Sequence, residues 1–261
     1  FVLPRAARAV FGAGTVTAAS VMVNTPGFAD AVERAHAMPS LDLGLHFNLT
    51  LGAPLSPPED IPSLVDPTRG TFCTLPQLAW RAWTGRIRHE EVARELHAQW
   101  HAATRAGITL SHLDGHQHAH LLPHVAPVVL REGMALGIPH IRVPREPYQV
   151  RPLRVRASAV KAALHLAQRR SRVAPSATVT HFRGLSLEGH PAFAGALVRE
   201  LAQLPAGVTE LMVHPGYVDQ ALAALDPYLA PRAREVDALL SAPVREALRA
   251  PDLQLTTFRA L

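Results

Sequence analysis

The chain is short of cysteine, lysine, aromatic side chains and long apolar runs, and each shortage closes off a class of protein. Cys73 is its one cysteine, which excludes an intramolecular disulfide framework and a thiolate metal cage and leaves the redox compartment open. No uninterrupted apolar stretch reaches the length of about eighteen residues that a membrane span needs. The opening residues, FVLPRAARAV, carry neither the apolar core nor the cleavage site of a signal peptide. The expected location is therefore the cytoplasm. Aromatic residues make up 5% of the chain and do not alternate with basic ones, so nucleic acid is not an expected partner. Lys161 is the sole lysine, and arginine carries almost all of the basic charge behind the net +5. A helical H-E-x-x-H pair is absent, as are G-x-S-x-G and a glycine-rich phosphate loop, which removes support from zincin, serine-hydrolase and Walker or dinucleotide-binding readings.

What is present suits one large domain over residues 1–261, since 261 residues at 48% hydrophobic content can bury a single core. Short β-rich runs alternate with helical patterns throughout, as in repeated βα units around a parallel sheet. Strands are expected near Val16–Val23, Leu43–Thr50, Thr109–Asp114, Ile138–Val143, Thr178–Phe182, Glu210–His214 and Gln254–Phe258. Helices are expected at Pro4–Phe11, Phe28–Ala37, Glu90–Ala106, His124–Leu136, Leu153–Arg170, Pro191–Leu204 and Ala230–Leu240. Such an α/β chain predicts an irregular (β/α) TIM-like barrel, one strand short of the usual eight. The proline-rich stretch Ala53–Thr74 reads as a long loop able to cover a site. The basic stretch Arg151–Arg172 reads as a solvated helix face, with an anionic membrane surface or a lipid-linked substrate as the functional alternative.

The densest chemistry lies in SHLDGHQHAH, where His112, Asp114, His116, His118 and His120 alternate. In an extended chain these would share one face, although a turn expected after Asp114 breaks strict convergence; crowded imidazoles resist protonation and so remain able to bind a divalent cation. If the sheet closes as a barrel, functional groups gather where strands end. His46 ends LGLHF, Asp114 and His116 end TLSHLD, Arg142 ends IPHIR and His214 ends TELMVH. Tyr217 follows His214 closely enough to touch a substrate, whereas Trp100 sits in a helical pattern and suits the core.

The segments VTAASVMVNTPGFADAV, GLHFNLTLGAPL, SHLDGHQHAH and ELMVHPGYVD, in this order and spacing, resemble the YdjC-like (ChbG/HpnK) family of carbohydrate deacetylases, chitooligosaccharide and hopanoid-associated enzymes among them. The likeness covers essentially the whole chain. It implies a metal-dependent hydrolase that removes the N-acetyl group from an N-acetylated amino sugar, free or linked to a lipid or other aglycone, and it allows a homodimer. His46 and His116 match the family's metal ligands, and His214 matches the residue placed as general acid. Asp114, His118 and His120 match positions around the metal, in an outer shell rather than as ligands, and Arg142 would orient a carboxylate or contact substrate. Two imidazoles and a carboxylate suit zinc, with magnesium, nickel or manganese open as well. The chain departs from the family at its start. The family opens on a strand ending NADDFG, whose second aspartate completes the metal site and whose first is placed as general base. Phe1 aligns with the phenylalanine of that motif, so both aspartates and the first strand are expected just upstream of Phe1. Were they truly lacking, the chain would suit a non-catalytic glycan-binding relative; a phosphoesterase using the same apparatus is the other alternative.

Overall fold

The architecture follows from the alternation in the strand DLGLHF. Leu43, Leu45 and Phe47 point to one side of it and Gly44 and His46 to the other. In the computed structural model, described for residues 4–146, 166, 178–226 and 228–261, the elements in chain order are as follows. The first half contains α1 (Pro4–Gly12), β1 (Ala18–Val21), α2 (Phe28–His36), β2 (Asp42–Phe47), α3 (Leu75–Trp83), α4 (His89–Arg105), β3 (His112–Gly115), α5 (Ala126–Ala135) and β4 (His140–Ile141). The second half contains β5 (His181–Arg183), α6 (Phe193–Leu201), β6 (Thr209–Leu211), α7 (Gln220–Leu225), α8 (Ala230–Leu240) and α9 (Ala242–Ala247).

Strands β1 to β4 form a parallel sheet in that order, and β5 pairs in parallel with β6. In a parallel pair, facing residues share a side, so the register sorts the chemistry. Gly44 faces His112, His46 faces Asp114 and His112 faces His140. One side of the sheet therefore carries Ser20, His46, His112, Asp114 and His140, and Arg142 continues the series beyond β4. The other side carries Leu43, Leu45, Phe47, Leu113 and Ile141, which pack with Leu96 of α4 and Val128 and Val129 of α5. Burying each such side chain contributes roughly 1.5–3 kcal/mol. A second apolar cluster joins α1, α6, α8 and α9 through Val10, Leu197, Leu201, Leu239 and Val244.

The described strands do not close into a barrel. No ladder joins β4 to β5, because β4 has only two paired residues, and an open cleft lined by His140, Arg142, Phe182, Glu210 and Phe258 lies there instead. The gap is spanned by side chains: Arg142 Nε donates to Glu210 Oε1 of β6 at 2.6 Å. The expected strand at Gln254–Phe258 is also absent. That segment is irregular and ends in a 3₁₀ turn, Phe258–Ala260. Side chains rather than a ladder place it: Phe258 stacks on His112 at 4.1 Å, and the Arg259 N–H donates to Asp42 Oδ2 at 2.9 Å.

Residues 53–74 form an ordered strap. Buried Glu95 accepts from the N–H groups of Leu55 and Ser56 at 3.1 and 2.9 Å, and Glu91 accepts from that of Ser63 at 2.6 Å. Ile61, Leu64, Phe72 and Cys73 of the strap are themselves buried in the main core. Helix α3, unexpected after so many prolines, starts at a capping box in which Thr74 and Gln77 satisfy each other's groups. The expected helix at Leu153–Arg170 and the basic stretch around it lie outside the described residues, Leu166 apart.

Candidate active site

Three adjacent strands deliver a hydrogen-bonded cluster at their carboxyl ends. His46 and Asp114 face each other across β2 and β3, and the Asp114 carboxylate takes three partners. Its Oδ1 lies 2.7 Å from His46 Nδ1, and its Oδ2 lies 2.5 Å from Arg142 Nη1 and 3.0 Å from Ser20 Oγ. Burial alone would raise the Asp114 carboxyl, but Arg142 and His46 outweigh it and hold the group well below the usual carboxylate range. An ionised carboxylate only accepts, so His46 Nδ1 must donate and the ring's lone pair sits on Nε2. Burial lowers the His46 pKa, with Asp114 opposing, while Arg142 is held firmly protonated by its two carboxylates despite its own burial.

His116 follows β3 directly. Its ring centroid is 5.6 Å from that of His46 at 68°, and burial, reinforced by the neighbouring His46, pushes it down to about 3. Both rings are thus neutral near pH 7, the form in which imidazole offers a lone pair. His214 emerges after β6, near enough for Arg142 and His46 to act on it electrostatically. Burial and then Arg232 lower it to about 3, so the resting ring is neutral.

The five alternating groups of SHLDGHQHAH do not converge. His112 lies at the amino end of β3, its ring over Gly44, where an added Cβ would meet it at 2.4 Å. After Gly115 the chain turns into a 3₁₀ segment, His116–Leu121, in which Gln117 and His118 both take positive φ, 53° and 55°. Such backbone strain costs about 1–3 kcal/mol per residue and breaks the period of two. His120 folds back over Gly115 and donates from Nε2 to the Arg142 carbonyl at 2.9 Å. The Nδ1 atoms of His118 and His120 are buried without a hydrogen-bond partner among the described residues, and burial holds both rings neutral, His120 at about 4. Tyr217 is 45% exposed, and Trp100 packs against the core.

Several partners escaped sequence reasoning. Ser20 and Glu210 belong to the Asp114–Arg142 cluster, and Tyr228, Arg232 and Glu235 surround His214. Glu210 carried one readable signal: it lies four residues before His214 in a strand, on the same side. Its carboxyl is raised by burial, with Arg142 opposing.

A divalent cation fits part of this arrangement. Two imidazoles on one tetrahedral ion, with metal–nitrogen distances of about 2.0–2.1 Å, bring their centroids to about 5 Å, close to the separation of His46 and His116. Among the described residues no group of three or more His, Cys, Asp or Glu side chains is placed to hold a metal ion. The donors in hand account for two positions of a shell.

The YdjC-like protein family model matches residues 3–250. A carbohydrate deacetylase of Brevibacillus brevis is 30% identical over 258 residues, covering 95% of this chain and 89% of its own length. A chitooligosaccharide deacetylase of Klebsiella pneumoniae is 31% identical, covering 94% and 88%. A carbohydrate deacetylase of Mus musculus is 34% identical over 79% of this chain and 71% of its own. In three dimensions, a putative cellobiose-phosphate cleavage protein of Enterococcus faecalis superposes with a TM-score of 0.79 over 99% of this chain and 92% of its own; at 24% identity that likeness speaks for the fold alone. With the family's model matched from one end of the fold to the other, the chain belongs to the YdjC-like protein family.

Proposed function

We propose that this protein is a metal-dependent carbohydrate N-deacetylase, hydrolysing the acetamide of an N-acetylated amino sugar. The observation that carries the reading is the pairing of His46 and His116, neutral and side by side at the carboxyl ends of the strands, with Asp114 fixing the His46 tautomer. The names of the relatives supply the substrate class. We read the two sheets as arcs of one irregular barrel whose polar sides face inward, supported by the Arg142–Glu210 bridge between them.

Amide hydrolysis needs a polarised carbonyl, a deprotonated water and a protonated leaving nitrogen. A divalent cation on His46 and His116 would supply Lewis acidity for the first two. The chain's own residues do the rest. Asp114, pinned by Arg142 and Ser20, keeps the His46 Nε2 lone pair aimed outward, and Arg142 is kept in place by Glu210. His214 passes a proton to the departing sugar nitrogen, a role that its place after β6, within electrostatic reach of His46, supports. Water and amide become acetate and the protonated amine, and His214 returns to its resting form.

The test is acetate release from N,N′-diacetylchitobiose. Activity is expected to vanish with a chelator, to return with zinc, magnesium, nickel or manganese, and to fall by about 10²-fold or more in His116→Ala. Chelator-insensitive acetate release would remove the metal from the reading. Phosphate release from an aryl phosphate without acetate release would make the protein a phosphoesterase, and sugar binding without turnover would make it a glycan-binding relative.

A further inference from the structure

The side chain of His214 has no hydrogen bond to either ring nitrogen among the described residues, yet proton transfer demands a fixed ring plane. The loop that carries it is held from one direction. Glu235 Oε2 accepts a short hydrogen bond from the His214 N–H, and the Arg232 carbonyl accepts from the Gly216 N–H at 3.2 Å. Residues 232 and 235 are three apart on α8 and therefore share one face of it. The same helix holds the turn before it: Arg232 Nε donates to the Tyr228 carbonyl at 2.8 Å, and its Nη2 pairs with Asp226 Oδ2. That turn presents the Tyr228 ring edge-on to the His214 ring, centroids 5.5 Å apart at 64°. The Tyr228 hydroxyl donates to Glu235 Oε1 at 2.7 Å and accepts from the Gly189 N–H at 2.8 Å. Glu235 is only 1% exposed, so its carboxylate is committed to these partners rather than to water.

We infer that Tyr228 and Glu235 are positioning residues for His214: Glu235 holds its backbone, Tyr228 sets the plane of its imidazole, and the Tyr228–Glu235 hydrogen bond locks the two together. The inference rests on His214 being the proton-transfer residue. It explains why a carboxylate and a phenol are buried together behind a histidine loop, where apolar side chains would fill the space at lower desolvation cost.

A double-mutant cycle on acetate release from N,N′-diacetylchitobiose tests it, using the metal-loaded enzyme. Tyr228→Leu and Glu235→Ala should each lower kcat about tenfold with KM changed less than about twofold. Tyr228→Phe, which keeps the ring but loses the hydrogen bond to Glu235, should recover only part of that loss, whereas Glu235→Gln, which keeps an acceptor for the His214 N–H, should recover most of it. In a His214→Ala background, Tyr228→Leu and Glu235→Ala should cost less than about a further twofold, because they act through a ring no longer there. Equal losses with and without His214, or full kcat in both disruptive variants, would overturn the inference. If Glu235→Ala fails to fold, Tyr228→Leu decides the matter alone. If His214→Ala itself retains full activity, the fault lies with the proton-transfer reading of His214 and not with the packing around it.

Discussion

At the scale of the residue, Asp114 ties three strands' side chains into one cluster. Its two oxygens meet an imidazole, a guanidinium and a hydroxyl in a nearly solvent-free site, and a neutral replacement would disturb all three. Asp114→Asn presents an amide nitrogen where a donor now points, so His46 or Arg142 must turn away. Metal affinity, measured by competition with a chromogenic chelator, should fall about 10–100-fold, with a parallel loss of acetate release. Ser20→Ala removes only one of the three contacts and should cost about 0.5–1.5 kcal/mol in denaturant unfolding while leaving the His46 tautomer in place. The principal members of this site were legible because a charged or imidazole side chain at the end of a β-rich run has few structural uses. Ser20 was not, and Glu210 showed only its spacing to His214, since what joins them to Asp114 and Arg142 is strand register and a bridge between sheets.

At the scale of the element, the strap over residues 53–74 shows how a proline-rich segment is fixed with little regular structure beyond the 3₁₀ turn Pro58–Asp60 and one antiparallel bridge, Val65 to Phe72. Glu91 and Glu95 lie four apart on α4 and offer their carboxylates to backbone N–H groups that no helix or strand would satisfy. Glu95→Ala leaves two of those groups without their acceptor and the Gln99 amide with only the Asn48 carbonyl. It should destabilise the fold by about 1–3 kcal/mol and raise hydrogen exchange at Leu55 and Ser56 selectively. Glu95→Gln should recover part of the loss. Composition alone shows that this segment avoids helix and strand, but its anchors are 28 to 40 residues away and invisible to any local pattern. The converse holds at Gln254–Phe258, where β-favouring residues predict a strand and the stacking of Phe258 on His112 decides otherwise. Helix α3 had a readable start in T-L-P-Q, a capping box with proline in the first turn, hidden by the prolines before it.

At the scale of the whole molecule, buried histidines make stability depend on acid. His112 is 4% exposed and burial puts its pKa at about 4, below the ordinary 6.5. A ring that is harder to protonate when folded leaves stability untouched above pH 6.5. Below that value the unfolded chain binds more protons, and stability falls until the folded ring also titrates near 4. The shift corresponds to about 3 kcal/mol from this group. His120, also lowered to about 4, adds a contribution of the same sign. Melting temperature should therefore decline steadily from pH 6.5 to pH 4, and His112→Gln should flatten the decline.

Phe258 makes that dependence possible. Its ring lies flat on His112 and reaches His140, covering the amino ends of β3 and β4. Truncating it to alanine would admit solvent behind His112, restore a more ordinary basicity there and soften the response to falling pH, while weakening the fold at neutrality. The acid tolerance of this protein is thus governed partly by a hydrocarbon ring that has no proton to exchange.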